Sequence, residues 1–242
     1  ARSEPGRVFL QKETPMSANA DRLRDTLLEL VRIPSPSRHE RPVVDWLDDR
    51  LAGLGYEPSE DRVGELIGGN AGNLFVRVPA TGAGRKLFVC AHVDTVETGQ
   101  AAIEPAVDGE TVTSRGDTIL GADDKTGVAV LVEFLTRLQE EPVEHDELLV
   151  AFTVAEEIEL LGASAMNPEW IKGCEAGIAL DHSAPEEFVT GAPSKVSLRI
   201  KVRGVGGHAA FPEGRVNAAH VLATAMSRLD RKSTRLNSSH YS

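Results

Sequence analysis

Residues Leu87–Asp94, LFVCAHVD, decide the fold. Leu87, Phe88, Val89 and Cys90 form a short apolar run that passes through Ala91 into His92 and, one residue further, Asp94. A run of this length ending in polar groups reads as a buried strand whose C-terminal tip enters a site. Three later segments carry acids in the same way: GADDK at Gly121–Lys125, AEE at Ala155–Glu157 and ALD at Ala179–Asp181. The chain is therefore expected to be a scaffold that brings four tips together around metal.

Working outward, helical and strand patterns alternate. Asn19 or Asp21 can cap a helix running to about Arg32, with Leu23, Leu27, Leu30 and Val31 on one face, stopped by Pro34 and Pro36. Glu40 to Leu54 repeats the pattern and ends at Gly55. Strands are expected at Tyr56–Ser59, Asn73–Val78, Lys86–Ala91, Glu147–Thr153 and Ala176–Leu180, with a hairpin turning at Asp108-Gly109. Helices are expected from about Lys125 to Glu141 and from Leu160 to Met166. This order implies an α/β fold, a mixed sheet with helices on both faces. From Val189 the texture changes. A half-wet strand over Lys195–Arg203 and an amphipathic helix over Val216–Leu229 read as the start of a second, smaller α+β domain.

The ends look foreign to this pattern. Residues 1–18 read as a disordered leader, 19–188 as the main domain, and 189–229 as the start of the second one. Residues 230–242 read as a non-native tail, because DRKSTRLNSSH is similar to translated sequencing-library adapter. A chain cut near Leu229 is the expectation that follows.

Bulk composition narrows the function. The 242 residues are 41% hydrophobic and 26% charged, as in ordinary globular proteins. A net charge of −11 argues against nucleic-acid or anionic-membrane partners, which want a basic face. No apolar run reaches the ~20 residues of a membrane span. Cys90 and Cys174 sit in or beside apolar stretches, so reduced, buried thiols and a cytoplasmic location are expected.

Taken singly, the acidic motifs are ambiguous. His92 and Asp94 make an H-x-D unit whose side chains share one side of an extended segment, but such a unit also occurs in ordinary loops. Asp123-Asp124 at a helix start can be caps, Glu156-Glu157 a solvated loop, and Asp181-His182 a turn. Together and in this order they are more specific. Strand tips converge on the ligand crevice of open α/β sheets, and several carboxylates there repel one another without cations. One imidazole with three or more carboxylates suits a pair of divalent ions, zinc first, with cobalt or manganese possible.

HVDTV, GADDKTG, EEIELLGA, ALDHS and GVGGHAAFPEGRVNAA resemble, in order and spacing, the di-zinc exopeptidases of the peptidase T and aminoacylase superfamily, and most of all peptidase T-like tripeptide aminopeptidases. The resemblance covers about Asn19 to Leu229; it implies that 19–188 is a catalytic domain lacking its C-terminal part and 189–229 a partial lid or dimerisation domain, and it implies roles residue by residue. His92 and Asp181 would bind one zinc and Glu157 the other. Asp123 would bridge both, with a cis peptide bond to Asp124. Asp94 would orient His92, Glu156 would be the general acid/base, and His208 would bind substrate, often across a homodimer. The implied substrate is a short peptide. An N-acyl amino-acid amidohydrolase or carboxypeptidase of the same superfamily, and a non-catalytic metal-binding homologue, stay open as alternatives. The superfamily's later histidine ligand to the second zinc has no counterpart here, since His220 lies on the lid helix and His240 in the tail. Poor activity of the 242-residue chain, from a parent that is a hydrolase, is the expectation that follows.

Overall fold

The strand β3, Leu87–His92, sits inside a five-stranded mixed sheet. The computed structural model describes residues 17–97, 102–182, 184, 187–191, 199–208, 210 and 214–228. The chain divides into two units, Ala1–Pro185 and Glu186–Ser242.

In the first unit the helix α1 (Ala20–Arg32) starts at Asn19, whose side chain accepts the Arg22 N–H at 3.0 Å. It ends at Ile33, as expected of a residue held extended before Pro34. Helix α2 (Arg41–Gly53) carries Pro42 in its first turn, where no N–H is missed. The strand β1 is Ser59–Glu60, displaced from the expected Tyr56–Ser59, because Tyr56 instead turns inward and its hydroxyl donates to Leu135 O at 2.8 Å. A five-residue helix, α3 (Val63–Ile67), was not signalled by the sequence pattern, being too short to show a period. The strand β2 (Leu74–Val78) follows. Beyond β3, the hairpin of β4 (Pro105–Asp108) and β5 (Thr111–Ser114) turns at the expected Asp108-Gly109 step. Helix α4 spans Ala122–Glu140, with Asp123 and Asp124 at non-helical torsions, so the regular helix runs from Lys125. Then come β6 (Leu148–Thr153), α5 (Leu161–Ala165) and β7 (Ala176–Ala179).

The strand order is β1-β2-β6-β3-β7. β2 runs antiparallel to β6, whereas β6 and β7 both run parallel to β3 and flank it on opposite sides. Side chains alternate with the pleat. Leu74, Val76, Leu148, Val150, Phe152, Leu87, Val89 and Ala91 face the large core with α1, α2 and α4. Phe75, Leu149 and Ala151 face the other side, where Trp170 stacks on Phe75 with ring centroids 4.1 Å apart. That second face is covered by α5 and the turns after it, including Met166, Trp170 and Ile171. With both faces apolar, β6 is buried along its whole length, as its continuous LLVAFT run requires. Arg22 fastens α1 to α4 by pairing with Glu133 at 2.5 Å and Glu140 at 2.6 Å.

Cys90 and Cys174 are free thiols, but half-buried rather than buried, because both lie on the thinner second face. Burial still pushes the Cys90 thiol up to about 11.

In the second unit, helix α6 (Ala218–Met226) is capped by Asn217, whose side chain accepts the N–H groups of Ala219 and His220. This is shorter than the expected Val216–Leu229. Val216 instead pairs with Val205 in an isolated antiparallel bridge, and Leu229 lies outside the described residues. Of the strand expected over Lys195–Arg203, residues 195–198 lie outside the described set and residues 199–203 form no strand.

Candidate metal centre

The sheet register explains why the acidic tips meet. His92 ends β3 opposite Thr153 of β6, three residues before Glu156. On the other side Cys90 pairs with Ala179 of β7, and the Leu180 N–H donates to Cys90 O at 2.9 Å, so Asp181 emerges just beyond. The three parallel strands end on the same side; the chain passes from β3 to β6 on one flank by way of α4, and from β6 back across β3 to β7 on the other by way of α5. Such switch points form crevices at the carboxyl ends of strands.

His92 is 3% exposed. Its Nδ1 lies 3.0 Å from Asp94 O and 3.4 Å from Asp94 Oδ1, which turns Nε2 toward Asp123 Oδ1 at 3.2 Å and Glu156 Oε2 at 3.9 Å. One ligand atom each from His92, Asp123 and Asp181 lie within 4.8 Å of one another. An imidazole nitrogen and two carboxylate oxygens so close, one of them on a buried ring fixed by hydrogen bonds at its other nitrogen, form a donor set that fits a borderline divalent cation. Glu157 lies outside this trio, but its carboxyl is raised by burial and then by the charge of Asp123, which faces the same acidic group.

The two adjacent aspartates divide the work that the sequence left ambiguous. The peptide bond between them is cis. Asp123 projects outward with its side chain 74% exposed. Asp124 is buried and accepts the His92 N–H at 3.2 Å and the Gly127 N–H at 3.0 Å, so it caps α4 and steadies the end of β3. Gly127 is required there, since a Cβ would stand 2.4 Å from Asp124 Oδ1 and 2.5 Å from Leu180 O.

Asp94 is fully buried. Its Oδ1 accepts the Glu156 N–H at 2.9 Å, and its Oδ2 accepts the Ser37 hydroxyl at 2.6 Å and the Glu157 N–H at 3.2 Å. The carboxylate thus holds the Glu156-Glu157 turn at least as directly as it orients His92, whose nearest partner is the Asp94 backbone oxygen.

The electrostatics are those of crowded acids around one base. Burial would lower the His92 imidazole, but Asp94, Asp124 and Glu156 outweigh it and hold its pKa up at about 10. Burial would raise Asp94, but His92, Ser37 and the Glu156 N–H keep it below the usual carboxylate range. Burial pushes Asp124 up to about 7, with His92 opposing and Asp181 adding. Glu156 is raised by burial, with Asp181, Asp94 and Asp123 adding to the effect and His92 opposing. A cation here relieves this repulsion.

His208 lies in the second unit, exposed, with its Nδ1 accepting the Ala210 N–H at 3.2 Å. Four residues beside the centre were missed by sequence reasoning. Ser37 and Glu40 lie in IPSPSRHE, where prolines were read only as helix stops. Asn73 was read only as the start of a strand. Lys125 is wholly buried, donates to Ile33 O at 2.5 Å, and is lowered to about 8 by burial. A lysine in a helix start gives no sequence signal of burial.

Comparison with known proteins supports the same reading. The profile of peptidase family M28 matches residues 73–230. The uncharacterized protein YqjE of Bacillus subtilis is 33% identical over 213 residues, covering 87% of this chain and 57% of that protein. Among solved structures, a tripeptidase from Staphylococcus aureus superposes with a TM-score of 0.71 at 30% identity. Aminopeptidase PepT from Bacillus cereus superposes with a TM-score of 0.68 at 31% identity. Each of these matches covers 87% of this chain and 57% of the other, so the chain spans little more than half the length of its relatives. The resemblance to peptidase T-like metallo-exopeptidases, and the mixed-sheet α/β fold, agree with these neighbours.

Proposed function

The chain belongs to peptidase family M28, and on that premise we propose that it carries the metal-binding core of an exopeptidase acting on short peptides. The observation that carries the proposal is the convergence of His92 and Asp181, at the ends of β3 and β7, with Asp123 from the start of α4, and the Glu156 carboxylate from beyond β6 standing 3.9 Å from His92.

His92 and Asp181 would hold one zinc, Glu157 a second, and Asp123 both, with cobalt or manganese as substitutes. Such ions act as Lewis acids on a substrate carbonyl and lower the pKa of bound water. Glu156 takes a proton on its carboxylate from the attacking water and returns it to the leaving amine. Asp94 holds the Glu156 and Glu157 N–H groups, so the base and the metal ligand beside it keep one geometry. His208 is proposed to contact the substrate carbonyl or carboxylate.

The test is hydrolysis of free-amine tripeptides, beside N-acylated amino acids, by a protein of the relatives' full length carrying this chain. Chelator-sensitive activity on the tripeptides, reduced by orders of magnitude in Glu156→Gln with metal still bound, supports the reading. Unchanged turnover in Glu156→Gln removes Glu156 from its role. Activity on N-acylated substrates alone moves the function to the amidohydrolases.

A further inference from the structure

Four successive backbone N–H groups lead into and through the acidic turn, and each is accepted by a buried side-chain oxygen from elsewhere in the chain. Val154 N–H donates to Asn73 Oδ1 at 3.1 Å and Ala155 N–H to Glu40 Oε1 at 3.0 Å. Glu156 and Glu157 N–H groups then donate to the two oxygens of Asp94. Glu40, Asn73 and Asp94 are each 0% exposed. No helix or strand ladder binds these four donors, so side chains decide where the turn goes.

Within this row Glu40 has a second attachment. The same Oε1 accepts the Arg38 N–H at 2.8 Å. Arg38 and Ala155 both have positive φ, 74° and 53°, a left-handed conformation that is unfavourable for a side-chain-bearing residue. One buried oxygen therefore ties two strained turns together, the 36–40 loop and the start of the Glu156-Glu157 turn. The other oxygen, Oε2, is buried with no hydrogen-bond partner among the described residues. A buried carboxylate left half unsatisfied is costly to the fold. Such a cost is more readily understood at a functional site than in an ordinary core.

We propose that Glu40 is a positioning residue for the metal centre: through Ala155 it sets the path of the turn that presents Glu156 and Glu157. This rests on the exopeptidase reading of those two glutamates. Asn73 supports the same turn one residue earlier, and donates through Nδ2 to Gly162 O at 3.1 Å, closing the far end of the loop.

The decisive variants are Glu40→Gln, Glu40→Asp and Glu40→Ala. The Gln amide keeps an oxygen for both N–H donors, and its NH2 takes the place of Oε2, which has no partner to lose. Burial already pushes the Glu40 carboxyl above its usual range, so an uncharged group is at home there. Asp keeps the charge but falls short of Ala155. Two readouts are taken on the whole chain: amide exchange of residues 154–157 before metal is added, and cobalt affinity with the cobalt d–d absorption. Glu40→Asp and Glu40→Ala are expected to speed exchange at 155–157 while Leu149–Phe152 keep wild-type protection. They are also expected to weaken cobalt by ~10-fold or more with a changed spectrum, and Glu40→Gln to restore both. Should Glu40→Ala fail to fold, the Asp and Gln pair carries the same comparison. Wild-type exchange and cobalt binding in Glu40→Asp, or a Gln variant as impaired as the Asp variant, overturns the proposal. A wild-type chain that binds no cobalt would instead sink the exopeptidase reading, and the exchange data would still decide the role of Glu40.

Discussion

Removing the Asp94 carboxylate is the sharpest perturbation of this centre. Three donors converge on it: the Ser37 hydroxyl at 2.6 Å and the Glu156 and Glu157 N–H groups at 2.9 and 3.2 Å. In Asp94→Ala the two half-buried N–H groups lose their acceptor. At about 1–3 kcal/mol for each orphaned donor, the chain should lose ~2–6 kcal/mol. Relief of the carboxylate's own desolvation pulls toward the lower end. In Asp94→Asn one oxygen remains for Glu156, and Ser37 can rotate to accept from the new NH2. Only the Glu157 N–H is left facing a donor, so the loss should be ~1–3 kcal/mol. Urea unfolding of the metal-free chain measures both. Zinc titration should show a further 10- to 100-fold loss of affinity, because the turn bearing Glu157 and the orientation of His92 are both loosened. The Asp94 backbone oxygen still holds His92 Nδ1 in both variants, so binding should weaken rather than vanish. A loss below ~1 kcal/mol in Asp94→Ala, with zinc affinity unchanged, would show that the Asp94 carboxylate does not hold the Glu156-Glu157 turn.

Gly162→Ala puts a Cβ 2.0 Å from Val154 O and 2.8 Å from Asn73 Oδ1, so it should destabilise by at least ~3 kcal/mol in thermal or urea unfolding; wild-type stability would show that the loop has room to shift. Lys125 is wholly buried and its amine is lowered from 10.5 to about 8. Its cost to folding is therefore greatest below pH 8 and disappears as pH rises to 10.5. The stability of wild type relative to Lys125→Met should thus rise by about 3 kcal/mol across that window; a flat difference contradicts the assignment. His92, held at about 10, is protonated at neutral pH before a cation binds. Zinc binding should then release roughly one proton from it at pH 7, falling as pH approaches 10. Calorimetry in buffers of different ionisation enthalpy reads this number, and none released at pH 7 would contradict the ring's place in the site.

The sheet and the acids beyond β3, β6 and β7 were legible because continuous apolar runs such as LFVCA and LLVAFT carry the core on both faces and end in polar groups, whereas Asp123 and Asp124, expected at a strand tip, open helix α4. The hairpin was legible from its Asp-Gly turn, and α1 from its Asn19 cap. β1 was misplaced because Tyr56 looks like a strand residue but spends its side chain reaching Leu135 O. α3 has too few residues to show any period. The division of labour between Asp123 and Asp124 depends on which one the α4 start buries, and adjacent identical residues carry no such information. The supporting residues Ser37, Glu40 and Asn73 lie 57, 115 and 81 residues from the groups they hold. No local pattern could announce contacts at that separation. Nor could the sequence tell that His92 Nδ1 would meet the Asp94 backbone oxygen more closely than its carboxylate.

His92 at the end of β3, Asp123 at the start of α4 and Asp181 beyond β7 are proposed to hold one divalent cation. Zinc K-edge absorption spectroscopy on the wild-type chain, His92→Ala and Asp181→Asn reads whether they do. A zinc shell of one imidazole nitrogen with oxygen ligands is expected in wild type, with loss of the imidazole signal in His92→Ala and weakened binding in Asp181→Asn. An imidazole signal that survives in His92→Ala at wild-type affinity would place the metal elsewhere and contradict that proposal.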